Sequence, residues 1–365
     1  MDYNNEIELD FSKIAVYQGF LTDNDDLLKS SSGGAARAFI EILIKRGGVV
    51  FGVTYSEDFY SANYCFIENE EEINKIIGSK YIYSNKKLIL NKETVTVFEA
   101  VAYFLNQNRE VLFIGLGCDI SAVIKYNEKY NIDTSKLYLI DLICQGPTFP
   151  VVEKLYISRL EKRYKSKTVG FSVRYKRLGW FPPYIRVIFE NGKEYTESFY
   201  GSDFGYAFGK YSRDCCYNCA NKGSNHKSDI TLGDYWGLEK GKEGYNKNGV
   251  SIIFINSQKG KALLSEIDQD RFKYKLADAK EALTHNPMYY KSREKDADLA
   301  IFSRNINQYG LHCAVKMDIG GLKYYFIRIK RLIGKRIRYW KIENSSKVYL
   351  LRRDVKIFIA QIWQK

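Results

Sequence analysis

The residues of this 365-residue chain best suited to chemistry are cysteines. Cys216 and Cys219 form a Cys-x-x-Cys pair inside Arg213-Asp-Cys-Cys-Tyr-Asn-Cys-Ala-Asn-Lys222. Two thiolates at that spacing can share one metal centre, because a tight turn brings both sulfurs to the same point. Cys118 follows the apolar run Val111-Leu-Phe-Ile114 and its break at Gly115-Leu-Gly117. Cys144 follows a second run, Leu137-Tyr-Leu-Ile-Asp-Leu-Ile143, ahead of Gly146-Pro147. Both runs read as buried strands entering turns. Ligands of open parallel sheets gather at the carboxyl ends of strands, which is where Cys118 and Cys144 would lie. With the Cys216/Cys219 turn they make a four-thiolate set, suited to a [4Fe-4S] cluster or a zinc ion. Cys65, Cys215 and Cys313 are expected to stand outside it.

A second candidate is an anion site. Ser30-Ser-Ser-Gly-Gly34 precedes Ala35-Ala-Arg-Ala-Phe-Ile-Glu-Ile-Leu-Ile-Lys45, whose Ala36, Phe39, Ile40 and Leu43 fall at helical spacing. Free N–H groups at a helix start favour a phosphate, and glycine lets it come close. A plain helix cap is the other reading. Lys80, in the turn Gly78-Ser-Lys-Tyr81, is a cation that could serve the same anion. The chain has no Gly-x-Ser-x-Gly, His-Glu-x-x-His or P-loop lysine pattern, and its three histidines show no metal-binding spacing, which argues against hydrolase and phosphotransferase chemistry.

The elements that must position these residues alternate. Helices are expected over Ala35–Lys45, Thr94–Asn106 and Ser121–Tyr130, and strands at Val49–Tyr55, Val111–Ile114 and Leu137–Ile143. That alternation predicts an α/β fold of mixed sheets with flanking helices, the site at the strand C-terminal ends and a basic helical C-terminal tail. Beyond Pro150 a helix to Lys165 leads to strands at Thr168–Tyr175 and Ile185–Glu190, with a hairpin turn at Asn191-Gly192. The division expected is an N-terminal arm over 1–29, an α/β part over 30–150 that carries the anion site, a Cys-x-x-Cys part over 151–303 and a basic tail over 304–365.

The formal charge of +13 sits mostly in the last fifty residues, where fourteen Lys/Arg face three Asp/Glu, a balance of +11. The nearly neutral remainder is not built around a nucleic-acid groove. The acidic start, Met1 to Asp10, has no secretory character, and no apolar run approaches the ~18 residues of a membrane span. A cytoplasmic protein with reduced thiols is expected. The segment from Tyr324 to Trp340 mixes basic and apolar residues at near-helical spacing. It reads either as a peripheral anchor at the inner face of an anionic membrane or as a helix packed on the body.

In order, Ser30-Ser-Ser-Gly-Gly34, Gly47-Gly-Val-Val-Phe-Gly52, Gly78-Ser-Lys-Tyr81, the Cys118 turn, Asp141-Leu-Ile-Cys-Gln-Gly146, the Arg213-to-Cys219 motif, Ser228-Asp-Ile-Thr-Leu-Gly-Asp-Tyr-Trp-Gly237 and His285-Asn-Pro287 resemble the beta subunits of coenzyme F420-reducing hydrogenases and dehydrogenases. Within that family the closer likeness is to the branch found among bacterial cell-surface polysaccharide proteins. The resemblance runs from Ser30 to about Ser303. It implies FAD beside a [4Fe-4S] cluster ligated by Cys118, Cys144, Cys216 and Cys219. It makes Ser31, Ser32, Gly33, Gly34, Ser79, Lys80 and Tyr81 flavin contacts; Asp234 or Trp236 is expected to line the ring pocket, the other reading of their Gly-Asp-Tyr-Trp-Gly turn being purely structural. Gly117-Cys118-Asp119 departs from the usual Pro-Cys-Gln of the family. No cysteine precedes Cys65, where many relatives carry a ferredoxin-like domain, so electrons are expected from a separate protein such as a ferredoxin.

These expectations describe a flavin and iron–sulfur oxidoreductase in surface-polysaccharide biosynthesis, acting on a sugar nucleotide or lipid-linked sugar. Trp180-Phe-Pro-Pro-Tyr184 is a candidate substrate wall or a packed corner. The alternatives are a reductase of the deazaflavin coenzyme F420 and a zinc-stabilised binding protein without redox chemistry.

Overall fold

The computed structural model describes residues 15–327 except 177 and 178, together with 329, 333 and 340. The first half comprises β1 (Ala15–Leu21), α1 (Asn24–Lys29), α2 (Ala35–Lys45), β2 (Val49–Tyr55), β3 (Ala62–Ile67), α3 (Ile73–Ile76), β4 (Ser84–Asn85), β5 (Lys87–Leu90), β6 (Glu93–Thr96), α4 (Val97–Asn106), β7 (Val111–Leu116), α5 (Gly117–Lys129) and β8 (Leu137–Leu142). After α6 (Pro150–Tyr164) come β9 (Thr168–Tyr175), β10 (Tyr184–Phe189), β11 (Glu194–Ser198), α7 (Asp203–Lys210), α8 (Asp214–Tyr217), β12 (Ile230–Asp234), β13 (Ser251–Ile255), α9 (Gln258–Ser265), β14 (Phe272–Leu276), α10 (Ala279–Thr284), α11 (Leu299–Tyr309) and α12 (Leu311–Ile319).

Nine strands form one mixed sheet in the order β14-β1-β13-β12-β8-β7-β2-β3-β4. Its centre, β12-β8-β7-β2, is parallel, so those four strands end at one edge. Their side chains alternate between two cores, as a pleated strand requires. In β2, Val49 and Phe51 face α4 and α5, while Val50 faces α2 and α9. The fold class is thus the expected mixed α/β. A second layer packs β9-β10-β11 against α6, α7, α11 and α12 through Val173, Val187, Phe204 and Phe302. Gly192, at φ +76°, turns the β10–β11 hairpin as its Asn-Gly signal predicts.

Three boundaries differ from the sequence reading. Residues 1–14 lie outside the described residues, but 15–29 are not a loose arm: β1 is paired on both sides, with β13 and β14. The sheet also crosses the expected division at 150, since β8 pairs with β12. Finally, a boundary at 303/304 falls inside α11, and Ile306, Leu311 and Val315 are buried core rather than tail. Apolar pairing over long sequence separations decided all three. Residues 341–365 lie outside the described residues.

Candidate functional site

At the shared edge of β2, β7, β8 and β12 opens a cavity of about 430 Å³, within the usual size of small-molecule sites. The connection before α2, the turn after α3, the exit of β8 and the end of β12 all supply wall residues. Ser31, Ser32, Gly34, Ser79, Lys80, Tyr81, Asp234 and Trp236 all line it. Gly33 lies behind the wall. A Cβ there would stand 2.1 Å from the Gly19 carbonyl oxygen and 2.4 Å from the Ser251 nitrogen, so packing alone requires this glycine. Gly34 begins α2 at φ +88° with no side-chain cap, and Ser251 Oγ, not a serine of the 30–32 run, accepts from the Ala35 N–H. The plain serine cap therefore gives way to a glycine start.

The two expected flavin turns meet directly, Ser79 Oγ donating to Ser31 Oγ at 2.8 Å. The Ser31 carbonyl accepts from Arg174 Nε and Nη2, and Nη2 also pairs with Asp234 Oδ1 at 2.8 Å. Arg174 is buried and its guanidinium lies 5.5 Å from the Trp236 ring centre. Sequence reasoning missed it. No local signal marked it: Arg174 follows Val173 in β9, and both are buried because the Ser31 carbonyl and Asp234 reach the guanidinium from remote segments.

Lys80 donates to the Ile77 carbonyl at 2.9 Å and sits 5.8 Å from the Tyr55 ring centre. Among the described residues it makes no ion pair, and burial brings its ammonium down to about 8. The other wall cations are neutralised: Arg37 pairs with Asp26 and Glu41, and Arg174 with Asp234. Behind the wall, the Lys176 ammonium is brought to about 7, by burial first and then by Arg174, and it donates to the Leu27 and Ser32 carbonyls. Tyr81 stacks on Phe208 at 4.5 Å, and Ile82 bridges to Thr148, which joins the turn to the chain after Cys144.

Cys144 lies on this same wall and accepts the Gly146 N–H at 3.2 Å. A Cβ on Gly146, another wall residue, would stand 3.3 Å from Cys216 Sγ. Cys118 belongs to the first turn of α5, not to a loop before it. The residue as a whole is exposed, but protein packed around its thiol raises it to about 12, with Asp119 and then Cys144 adding to the effect. Burial likewise holds Cys144 at about 11, opposed by the Gly146 N–H and Lys222, while Cys216 and Cys219 add to it. Cys144 is thus within electrostatic reach of each of the other three. Among the described residues, however, no group of three or more His, Cys, Asp or Glu side chains is gathered tightly enough to hold a metal ion. The donor set and its charge still suit a thiolate centre. Lys222, buried, donates to the Cys144 and Met288 carbonyls. Arg213 stacks over the Tyr83 ring, whose hydroxyl is 3.0 Å from Cys216 Sγ, and Arg293 donates to Ser212 Oγ at 3.2 Å. Cys313 is exposed elsewhere and Cys65 sits on β3 opposite Gly52, whereas Cys215, also exposed, does not point away as expected: its thiol stays in hydrogen-bond reach of Cys216.

Other parts of the quoted motifs hold the frame. The fully buried Asp141 carboxylate accepts from Ser228 at 2.8 Å and pairs with His226 at 2.6 Å. Asp119, which stands where a family glutamine is usual, accepts from Tyr64 at 2.9 Å and pairs with Lys86 at 2.8 Å. Trp180 stacks on the wall residue Trp236 at 4.7 Å, so the aromatic loop packs against the cavity wall without lining it, and Phe181 is exposed against the same indole.

Residues 108–280 match the family described as the C terminus of the coenzyme F420 hydrogenase/dehydrogenase beta subunit. The match includes all four cysteines of the candidate centre and leaves out the turns at 30–34 and 78–81. Among solved structures, the chain is similar to one chain of the F420-reducing [NiFe] hydrogenase complex from Methanosarcina barkeri, in a xenon derivative. The identity is 18% and the TM-score 0.48, over 75% of this chain and 89% of that one.

Proposed function

We propose, from the match of residues 108–280 to the coenzyme F420 hydrogenase/dehydrogenase beta-subunit family, that the chain is an oxidoreductase holding FAD in the edge cavity and a [4Fe-4S] cluster at Cys118, Cys144, Cys216 and Cys219. One observation carries this reading: Cys144 and Gly146 belong both to the cavity wall and to the cysteine centre. A ligand in the cavity would therefore lie beside the thiolates. When bound, the flavin exchanges one or two electrons with a substrate and the cluster passes them singly.

The chain's own residues bind and orient. Lys80 offers a positive charge to the phosphates, and Ser31 and Ser79 offer hydroxyls on the same side. Arg174 is locked by Asp234 and keeps the Ser31 turn in place. Lys222, Arg213 and Arg293 offset the negative charge of four thiolates. Trp236, backed by the stacked Trp180, gives the cavity a flat aromatic wall, which suits the face of a sugar ring. The substrate we assign is accordingly a sugar nucleotide or lipid-linked sugar of surface-polysaccharide biosynthesis. The electron partner is a separate protein such as a ferredoxin, in the cytoplasm. A second reading, favoured by the family description, takes the deazaflavin coenzyme F420 itself as the reacting partner.

Anaerobic purification followed by iron, zinc and flavin analysis tests the cofactors. Reducing the bound flavin and following its reoxidation by sugar nucleotides, lipid-linked sugars or oxidised deazaflavin separates the two substrates. Rapid reoxidation by the deazaflavin alone selects the second reading. A colourless protein that holds zinc and no flavin after reconstitution leaves a binding protein in place of either enzyme.

A further inference from the structure

Beyond α12, residues 321–327, 329, 333 and 340 are helical. Tyr324 pins the start of this segment to the body. It is 3% exposed, its hydroxyl donates to Asp203 Oδ1 at 2.8 Å, and the same oxygen is 3.1 Å from His312 Nδ1. Asp203 is itself buried and pairs with Arg159 and His312. The anchor decides which side of the segment faces the protein.

The opposite side is apolar and open. Leu322 is 80% exposed, Phe326 72%, Ile329 54% and Ile333 55%. At 3.6 residues per turn these four positions fall within about 60° of one another and roughly opposite Tyr324. A helix packed on the body with a solvated basic face would show the reverse, its apolar stripe inward. A row of four large apolar side chains left in water calls for a covering surface.

Charge identifies that surface. Residues 316–365 carry fourteen Lys/Arg against three Asp/Glu. A second copy of the chain would bring the same positive charge against itself. A nucleic acid would satisfy the charge and leave the apolar stripe in water. An anionic bilayer satisfies both, with each Lys or Arg near the surface worth about 1 kcal/mol. Six Lys/Arg between Tyr324 and Trp340 leave no apolar run long enough to cross a bilayer, so the segment would lie along the interface.

We propose that the C-terminal segment is an interfacial membrane anchor, with Leu322, Phe326, Ile329 and Ile333 inserted at the boundary between headgroups and acyl chains and the net positive charge of the segment drawing it to anionic lipid. The proposal is independent of the redox reading. It is tested by flotation of the full-length protein with vesicles of phosphatidylcholine alone and of phosphatidylcholine with phosphatidylglycerol in equal parts. Binding to the anionic vesicles is expected, weakening with salt and at least tenfold poorer on the neutral ones. The triple variant Leu322→Glu/Phe326→Glu/Ile329→Glu should lose binding at least tenfold while keeping the wild-type melting temperature. A milder variant, Phe326→Ser, should lose part of it. Absence of binding to anionic vesicles at low salt overturns the proposal, as does undiminished binding of the triple variant. So does a concentration-dependent dimer in which the four residues are protected and vesicles are ignored.

Discussion

Ser79 Oγ donates to Ser31 Oγ at 2.8 Å across 48 residues of sequence. Ser31 passes the contact on through its carbonyl to Arg174, and Arg174 reaches Asp234. One continuous polar line thus spans the cavity wall from the turn after α3 to the end of β12. A net hydrogen bond between neutral groups contributes about 1 kcal/mol. Ser79→Ala is expected to weaken flavin binding roughly fivefold with little change in melting temperature, measured by quenching of flavin fluorescence.

Lys80 should make anion binding depend on pH. Its ammonium, brought down to about 8 by burial, is charged below that value and neutral above it. Affinity for a phosphate-bearing ligand is therefore expected to fall as pH rises past about 8, and a bound anion moves the midpoint upward. Lys80→Gln should remove that dependence and cost roughly 10- to 100-fold in affinity, the usual worth of a hydrogen bond to a charged group. An unchanged pH profile in the variant would count against Lys80 as the anion contact.

Lys176 predicts a slope in stability. Its folded value of about 7 lies well below that of an unfolded lysine. Between about pH 7 and 10 the unfolded chain therefore binds more protons, and stability rises with pH across that window. Lys80 acts in the same direction above about 8. Lys176→Met leaves the Leu27 and Ser32 carbonyls without their donor, so it should be less stable overall. The telling readout is the slope of unfolding free energy against pH, which should drop by up to about 1.4 kcal/mol per pH unit.

The cysteines separate by position. Serine at Cys118, Cys144, Cys216 or Cys219 is expected to lower iron and acid-labile sulfide by more than half in anaerobically purified protein. Serine at Cys65, Cys215 or Cys313 should leave both unchanged. Iron that survives in both Cys118→Ser and Cys144→Ser would reduce the centre to the Cys-x-x-Cys pair and other donors.

Gly33→Ala tests packing rather than cofactor contact. Its new methyl would press on the Gly19 carbonyl and the Ser251 nitrogen, neither of which is a flexible side chain. Destabilisation of several kcal/mol is expected, visible as a lowered melting temperature in flavin-free protein. Loss of flavin without loss of stability would instead place the ligand directly at Gly33.

Much of the frame was legible in the chain. Val49–Tyr55 and Ala35–Lys45 were readable to the residue, because apolar periodicity and the Gly47-Gly48 break are local signals. The cysteines at strand ends, the Ser-Gly turn and the Gly78–Tyr81 turn were also readable, since each is a short motif beside such an element. Sequence by itself therefore determined the α/β class, the family likeness and most of the candidate residues.

Tertiary structure decided the rest. Residues 15–21 look like part of a polar arm, yet they become a doubly paired strand because β13 and β14 are available to them. Arg174, Lys176 and Lys222 look like ordinary surface cations. They are buried because Asp234 and the carbonyls of Ser31, Leu27, Ser32, Cys144 and Met288 arrive from segments remote in sequence. Gly33 looks like a phosphate contact, but two backbones close on it. The outward stripe at Leu322 and Phe326 followed from where Tyr324 found its partner. The physical reason is common to all of these. Periodicity and turn chemistry act over a few residues, whereas burial of a charge, a glycine or an apolar face is set by whichever distant segment packs against it.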